Sequence, residues 1–282
     1  MSSQFIGITT LAYVLVMALY FSHLFFRNEG FGKIITGISI IAFLLHTIGL
    51  GLRWYESYEI GYGHIPLSNF YEALVSLSWT TVLLYLIIEF RYKKRALGVL
   101  VYPVIGICMA YASFSQNVHS EIEPLIPALQ SNWLTYHVLT CFFGYSAFAV
   151  SFGSSFAYLF KARKLDATAG SSTSPEKEIL PTLEELDEII YKTIAIGFLL
   201  LGVGIITGAV WANYAWGSYW SWDPKETWSL ITWFIYAAFL HARLTRDWRG
   251  KKAAILSIAG FGCVLFTFIG VNYVLSGLHS YA

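Results

Sequence analysis

Residues 211–228 read WANYAWGSYWSWDPKETW and hold five of the ten tryptophans in the chain, together with Tyr214 and Tyr219. An ordinary interfacial belt needs far fewer aromatics at a helix end. Gly217 interrupts the run, so Trp216, Trp220 and Trp222 cannot continue one helical stripe with Trp211 and Trp228. The segment reads as a folded platform of flat apolar faces, which suits a large planar ligand because aromatic rings supply area at low entropic cost. Two histidines stand at the same level. His137 follows SerAsnTrp at 131–133, where an apolar stretch opens, and His279 follows the end of the last apolar stretch. Two imidazoles facing an aromatic shelf match the axial ligation of a heme iron.

The neighbouring charges have two readings each. Asp223, Pro224 and Glu226 have the spacing of a helix start, with Asp223 as N-cap and Glu226 returning to it; Asp223 is a cap, a ligand contact, or both. Arg53 and Lys225 are the two cations on this side, so each faces either lipid headgroups or the propionates of a heme. The other histidines lie elsewhere. His241 is 17 residues past Pro224, about 26 Å lower at 1.5 Å per helical residue. It therefore marks a second, inner level, near which His23 also falls, with His46 higher. His23 and His46 are either packing residues or inner ligands. His64 sits at a turn, and His119 in a loop.

These residues need a scaffold, and composition says which kind. Among 282 residues, 56% are apolar and 12% charged, with a net charge of +1. So few charges cannot cover a soluble surface, and a near-neutral balance offers no field for nucleic acid. Cys108, Cys141 and Cys263 lie in apolar runs without CxxC spacing, which argues against a disulfide framework, a zinc knuckle or a covalent heme site in this chain. Apolar stretches at about 4–26, 34–52, 69–90, 96–114, 135–160, 190–211, 226–243 and 253–275 are long enough to cross a bilayer. The expectation is an all-α, polytopic membrane helix bundle of about eight transmembrane helices, a single membrane domain over 1–282. The first stretch lacks a basic n-region and a small-residue cleavage site, so it reads as a retained helix. Of the 18 Lys and Arg residues, all but Arg53 and Lys225 fall on one set of loops. That asymmetry makes those loops cytoplasmic and puts both termini and the tryptophan segment, 211–228, outside. Residues 161–189 then form a cytoplasmic linker, a tether with a short surface helix at 182–188 capped by Thr182 and Glu185.

The chain resembles the CcsA/ResC family of cytochrome c biogenesis proteins, heme-handling membrane proteins marked by a tryptophan-rich "WWD" segment. The resemblance rests on GHIPLSNFYEA at 63–73, PALQSNWLTYH at 127–137, the 211–228 block running on through LHAR at 240–243, and GVNYVLSGLHSY at 270–281. It implies heme b as the ligand and substrate, export of that heme, and its attachment to an apocytochrome c outside the bacterial inner (cytoplasmic) membrane. It also implies a CcsB/ResB membrane subunit, with this chain part of a holocytochrome c synthase, and a thioredoxin-like reductant. The thiols come from the CxxCH site of the apocytochrome. His137 and His279 match the outer family histidines that hold the iron, and His241 the membrane-embedded one, whose partner ligand is His23, His46 or a residue of the other subunit. The WWD residues Trp211, Trp216, Trp220, Trp222, Asp223 and Trp228 would cradle the porphyrin. Ligating imidazoles must be neutral, so heme retention should weaken well below about pH 6.5. Competing readings are another WWD protein (CcmC- or CcmF-like), a b-type electron-transfer subunit and a small-solute transporter. A b-type bundle often stacks paired histidines on one helix, and no apolar stretch here holds two.

Overall fold

The structure, a computed structural model, describes residues 1–168, 179–275 and 277. Its described residues form no strand and fold into long helices: α1 (Ser2–Phe26), α2 (Glu29–Glu59), α3 (Phe70–Tyr92), α4 (Gly98–Phe114), α5 (Asn132–Thr168), α6 (Leu183–Trp216), α7 (Pro224–Arg246) and α8 (Lys251–Val274). Seven of them are long and apolar enough to cross a membrane. Helix α7 has the length but not the apolarity, because Lys225, Glu226, Arg243, Arg246 and several indole and phenol groups dilute it. The interior is where polar side chains concentrate. Thr80 and Thr81 bond Ser146 across α3 and α5, Ser151 bonds Ser257 across α5 and α8, and Thr232 bonds Thr267 across α7 and α8. Leu11, Leu15, Ile41, Leu199 and Ile206 point outward. Hydrocarbon offers a polar group no partner, so hydroxyls turn inward while leucine is indifferent to which side it faces.

Sequence-coded caps set the helix ends. The Asn28 side chain accepts from Gly30 and Phe31 amides at the start of α2, and Asn69 from the Glu72 amide at the start of α3. The Thr182–Glu185 capping box is present. It does not open a separate surface helix as expected: α6 starts there and continues unbroken, and α5 runs on to Thr168. The acidic stretch is accordingly structural. Asp187 is buried, accepts the Gly250 amide at 2.8 Å and pairs with Arg243 at 2.6 Å. The Ser/Thr-rich part of the linker, 169–178, lies outside the described residues.

Helix α5 lies at the centre, packed against α3, α4, α6 and α8. Its seam with α6 is lined by small residues. A Cβ on Gly204 would stand 2.5 Å from Cys141 Sγ, and one on Gly208 would stand 2.6 Å from His137 Nδ1. Glycine here lets the two backbones close, the usual device where no hydrophobic force draws helices together. A second feature escaped sequence reading. Beneath α1–α4, buried Glu89 accepts from the Tyr20 and Tyr85 hydroxyls at 2.6 Å each and from Thr36, with Arg95 alongside at 3.9 Å. Glu89→Ala is expected to cost about 3–5 kcal/mol, since it removes the buried carboxylate on which three hydroxyls converge and which faces Arg95. Detergent-solubilised protein unfolded by SDS and followed by tryptophan fluorescence would measure this; an unchanged midpoint would assign the cluster no structural role.

Candidate functional site

The N-terminal ends of α3, α5 and α7 meet the C-terminal ends of α6 and α8 at one end of the bundle. Between them lies a cleft of roughly 1170 Å³ of empty space, part of it open to the exterior. His137, Trp211, Tyr219, Trp220, Lys225 and Asn272 are among the residues lining it. The walls are otherwise mainly apolar, the usual make-up of a site for a sizeable organic ligand.

His137 is held in one orientation. Its Nδ1 donates to the Gly204 carbonyl at 2.7 Å, and its ring lies nearly parallel to Trp211, with centroids 6.0 Å apart and planes 15° from each other. Donation from Nδ1 fixes the tautomer that leaves the lone pair on Nε2, which is how a metal-ligating histidine is normally prepared. Gly208 clears the space the ring occupies.

The tryptophans divide differently from the single shelf expected. Helix α6 continues to Trp216 because nothing before Gly217, which caps it at φ 77°, breaks a helix. Trp211 is thus buried, donating Nε1–H to the Ala128 carbonyl at 2.8 Å, and packs with Trp216 against Leu129 and Leu134. Trp220 and Trp222 sit on the loop that follows, edge to face at 5.7 Å; Trp220 lines the cleft and Trp222 is exposed. Trp228 belongs to α7 and packs at a tilt of 54° against Phe266 of α8, away from the cleft wall. Asp223 caps α7: its Oδ1 accepts the Lys225 amide at 2.9 Å, while Glu226 accepts the Asp223 amide at 3.2 Å.

His279 lies outside the described residues. Gly277, two positions earlier, is described and is pressed against α7. A Cβ there would be 2.3 Å from Asp223 Oδ2 and 3.0 Å from Pro224 Cδ, so Gly277 lies close against the start of α7. His241 is exposed on α7 and does not line the cleft. His46 is fully buried, with Nδ1 bonded to the Tyr13 hydroxyl at 3.0 Å. His23 is buried beside Phe31 and over Gly32. His64 is not a simple turn residue: both its ring nitrogens face carbonyls, of Ile65 at 3.0 Å and Glu123 at 2.9 Å, tying two loops together. Arg53 requires a correction. It is buried in an ion pair with Glu72 at 2.7 Å and meets neither headgroups nor the cleft. Tyr219, one of the aromatics of 211–228, lines the cleft, and sequence reading missed Asn272 as a cleft residue.

The family model described as Cytochrome C assembly protein matches residues 67–279, most of the chain and the whole of this site. The chain belongs to that family. Among proteins named cytochrome c biogenesis protein CcsA, that of Guillardia theta is 39% identical over 98% of this chain and 94% of its own. That of Porphyra purpurea is 38% identical over 94% and 92%. That of Prochlorococcus marinus strain MIT 9313 is 38% identical over 95% and 90%. A solved structure named cytochrome c heme lyase CcmF superposes with a TM-score of 0.67 at 18% identity. It covers 95% of this chain, which spans 46% of that longer protein, and supports the shared helical fold.

Proposed function

We propose that this chain presents heme b at the outer rim of the membrane for attachment to apocytochrome c, with His137 and His279 as the iron ligands. The observation that carries the reading is the pinned imidazole of His137, its tautomer fixed by the Gly204 carbonyl on the wall of an open, mainly apolar cleft. Membership of the cytochrome c assembly family supports it. The cleft lies at the end of the bundle opposite the loops that carry nearly all Lys and Arg, which favours an extracytoplasmic mouth, eight spans and outward termini.

In this reading the chain works with a CcsB-type subunit in a bacterial inner membrane. Exposed His241 serves as an inner ligand shared with that partner, which explains why no second histidine faces it within the described residues. At the outer site His137 and the tryptophans orient the macrocycle, and the CxxCH segment of the apocytochrome enters past Tyr219 and Trp222. Its histidine replaces one protein ligand. Each thiol, kept reduced by a thioredoxin-like protein, then adds across a vinyl group, sulfur to one carbon and hydrogen to the other, with no net redox change. The reactivity belongs to heme and thiol; this chain supplies position and exclusion of water.

The test is the Soret band of the protein purified with its CcsB subunit. His137→Ala and His279→Ala should each lower or shift it, and His241→Ala should deplete heme at both levels by blocking entry. Wild-type spectra from all three variants would refute the ligand assignment.

A further inference from the structure

The cleft wall carries a cation, Lys225, that forms no direct ion pair among the described residues, although the Asp223 charge lies near it. Lys225 is the one Lys or Arg among the described residues that line it. Its Nζ donates to the neutral amide oxygen of Asn272 at 2.8 Å. The nearby carboxylates cap the helix rather than pair directly with Nζ: Asp223 Oδ1 takes the Lys225 backbone amide, and Glu226 Oε2 takes the amides of Ser221 and Asp223. An ammonium group on a mainly apolar wall is expensive unless an anion joins it.

The position of Asn272 points the same way. The side-chain amide of Asn272 donates to the Phe268 carbonyl at 3.0 Å, which turns its oxygen toward Lys225. Helix α8 is interrupted immediately before it by a π turn at Phe266–Gly270. One extra residue in a turn rotates everything beyond it by about 100°. The irregularity therefore sets which face of the last turn of α8 meets the cleft.

We propose that Lys225, positioned by Asn272, receives a carboxylate of the bound ligand, so that the site selects a porphyrin with ionised propionates and fixes which edge enters first. This deepens the heme reading above and rests on it. Propionates and vinyls occupy opposite edges of protoporphyrin IX. Anchoring the carboxylate edge at Lys225 directs the vinyl edge away from the Lys225–Asn272 pair, leaving it for the incoming thiols.

The experiment titrates the full chain, purified with its CcsB subunit and stripped of heme, with iron protoporphyrin IX and with its dimethyl ester, reading the Soret band. Wild type should bind the diacid about tenfold to a hundredfold more tightly than the diester, the size expected for a charge-assisted hydrogen bond. Lys225→Gln should lose that preference by weakening diacid binding alone, and Lys225→Arg should keep it. A Lys225→Gln protein with the wild-type preference would overturn the proposal. So would a wild type with a His137-dependent Soret band and no preference, a result that needs no folded variant and leaves the heme reading intact. A wild type that binds neither porphyrin would sink both.

Discussion

Gly208→Ala is expected to remove heme from the outer site almost as completely as loss of His137 itself, in a protein that remains folded. The added methyl would lie 2.6 Å from His137 Nδ1 and 2.7 Å from Cε1, well inside contact distance. The ring must move by about an ångström, and a misplacement of that size typically costs about 10²-fold. Movement also breaks the 2.7 Å bond to the Gly204 carbonyl, and with it the tautomer that keeps Nε2 basic. Lost second-shell bonds of this kind lower metal affinity by about 10–100-fold. The helix itself gains, since alanine is favoured over glycine in a helix interior by about 1 kcal/mol. The Soret band should therefore collapse while resistance to SDS unfolding is retained. A normal Soret band in Gly208→Ala would mean that the observed ring position is not the ligating one.

Much of this site was legible in the sequence because membranes simplify the code. Apolar runs mark helices, charge asymmetry marks sides, and a dense aromatic block stands out against both. The capping pairs Thr182/Glu185 and Asp223/Glu226 were readable for the same reason, being local. What escaped depends on partners far along the chain. A tryptophan run does not reveal that Trp211 turns inward onto the Ala128 carbonyl while Trp228 turns to α8. Nor does a lone asparagine reveal that a π turn will set it beside Lys225. The apolarity of α3 conceals Glu89, whose donors come from α1 and α2 as well as its own helix. Arg53 is the clearest case, since charge counting assigns it a side of the membrane but not a depth.

Arg53→Gln is expected to destabilise the protein by about 3–5 kcal/mol, the usual cost of stranding one member of a buried ion pair. Arg53 and Glu72 are 2% and 1% exposed. The guanidinium also donates to the Ser120 carbonyl at 2.8 Å and the Glu121 carbonyl at 3.1 Å, and lies over the Tyr71 ring. One side chain thus joins the end of α2 to the start of α3 and to the loop before α5. Adding Glu72→Gln should recover part of the loss by removing the stranded charge, whereas Glu72→Gln alone should also be destabilising. The consequence for the cleft is indirect and separable from that of Lys225. The loop held by Arg53 continues to Ala128, whose carbonyl anchors Trp211, and Trp211 backs the His137 ring. Loosening it should weaken diacid and diester porphyrins by the same factor, leaving their ratio untouched. A changed ratio in Arg53→Gln would place this guanidinium at the propionates after all, as charge counting alone allowed.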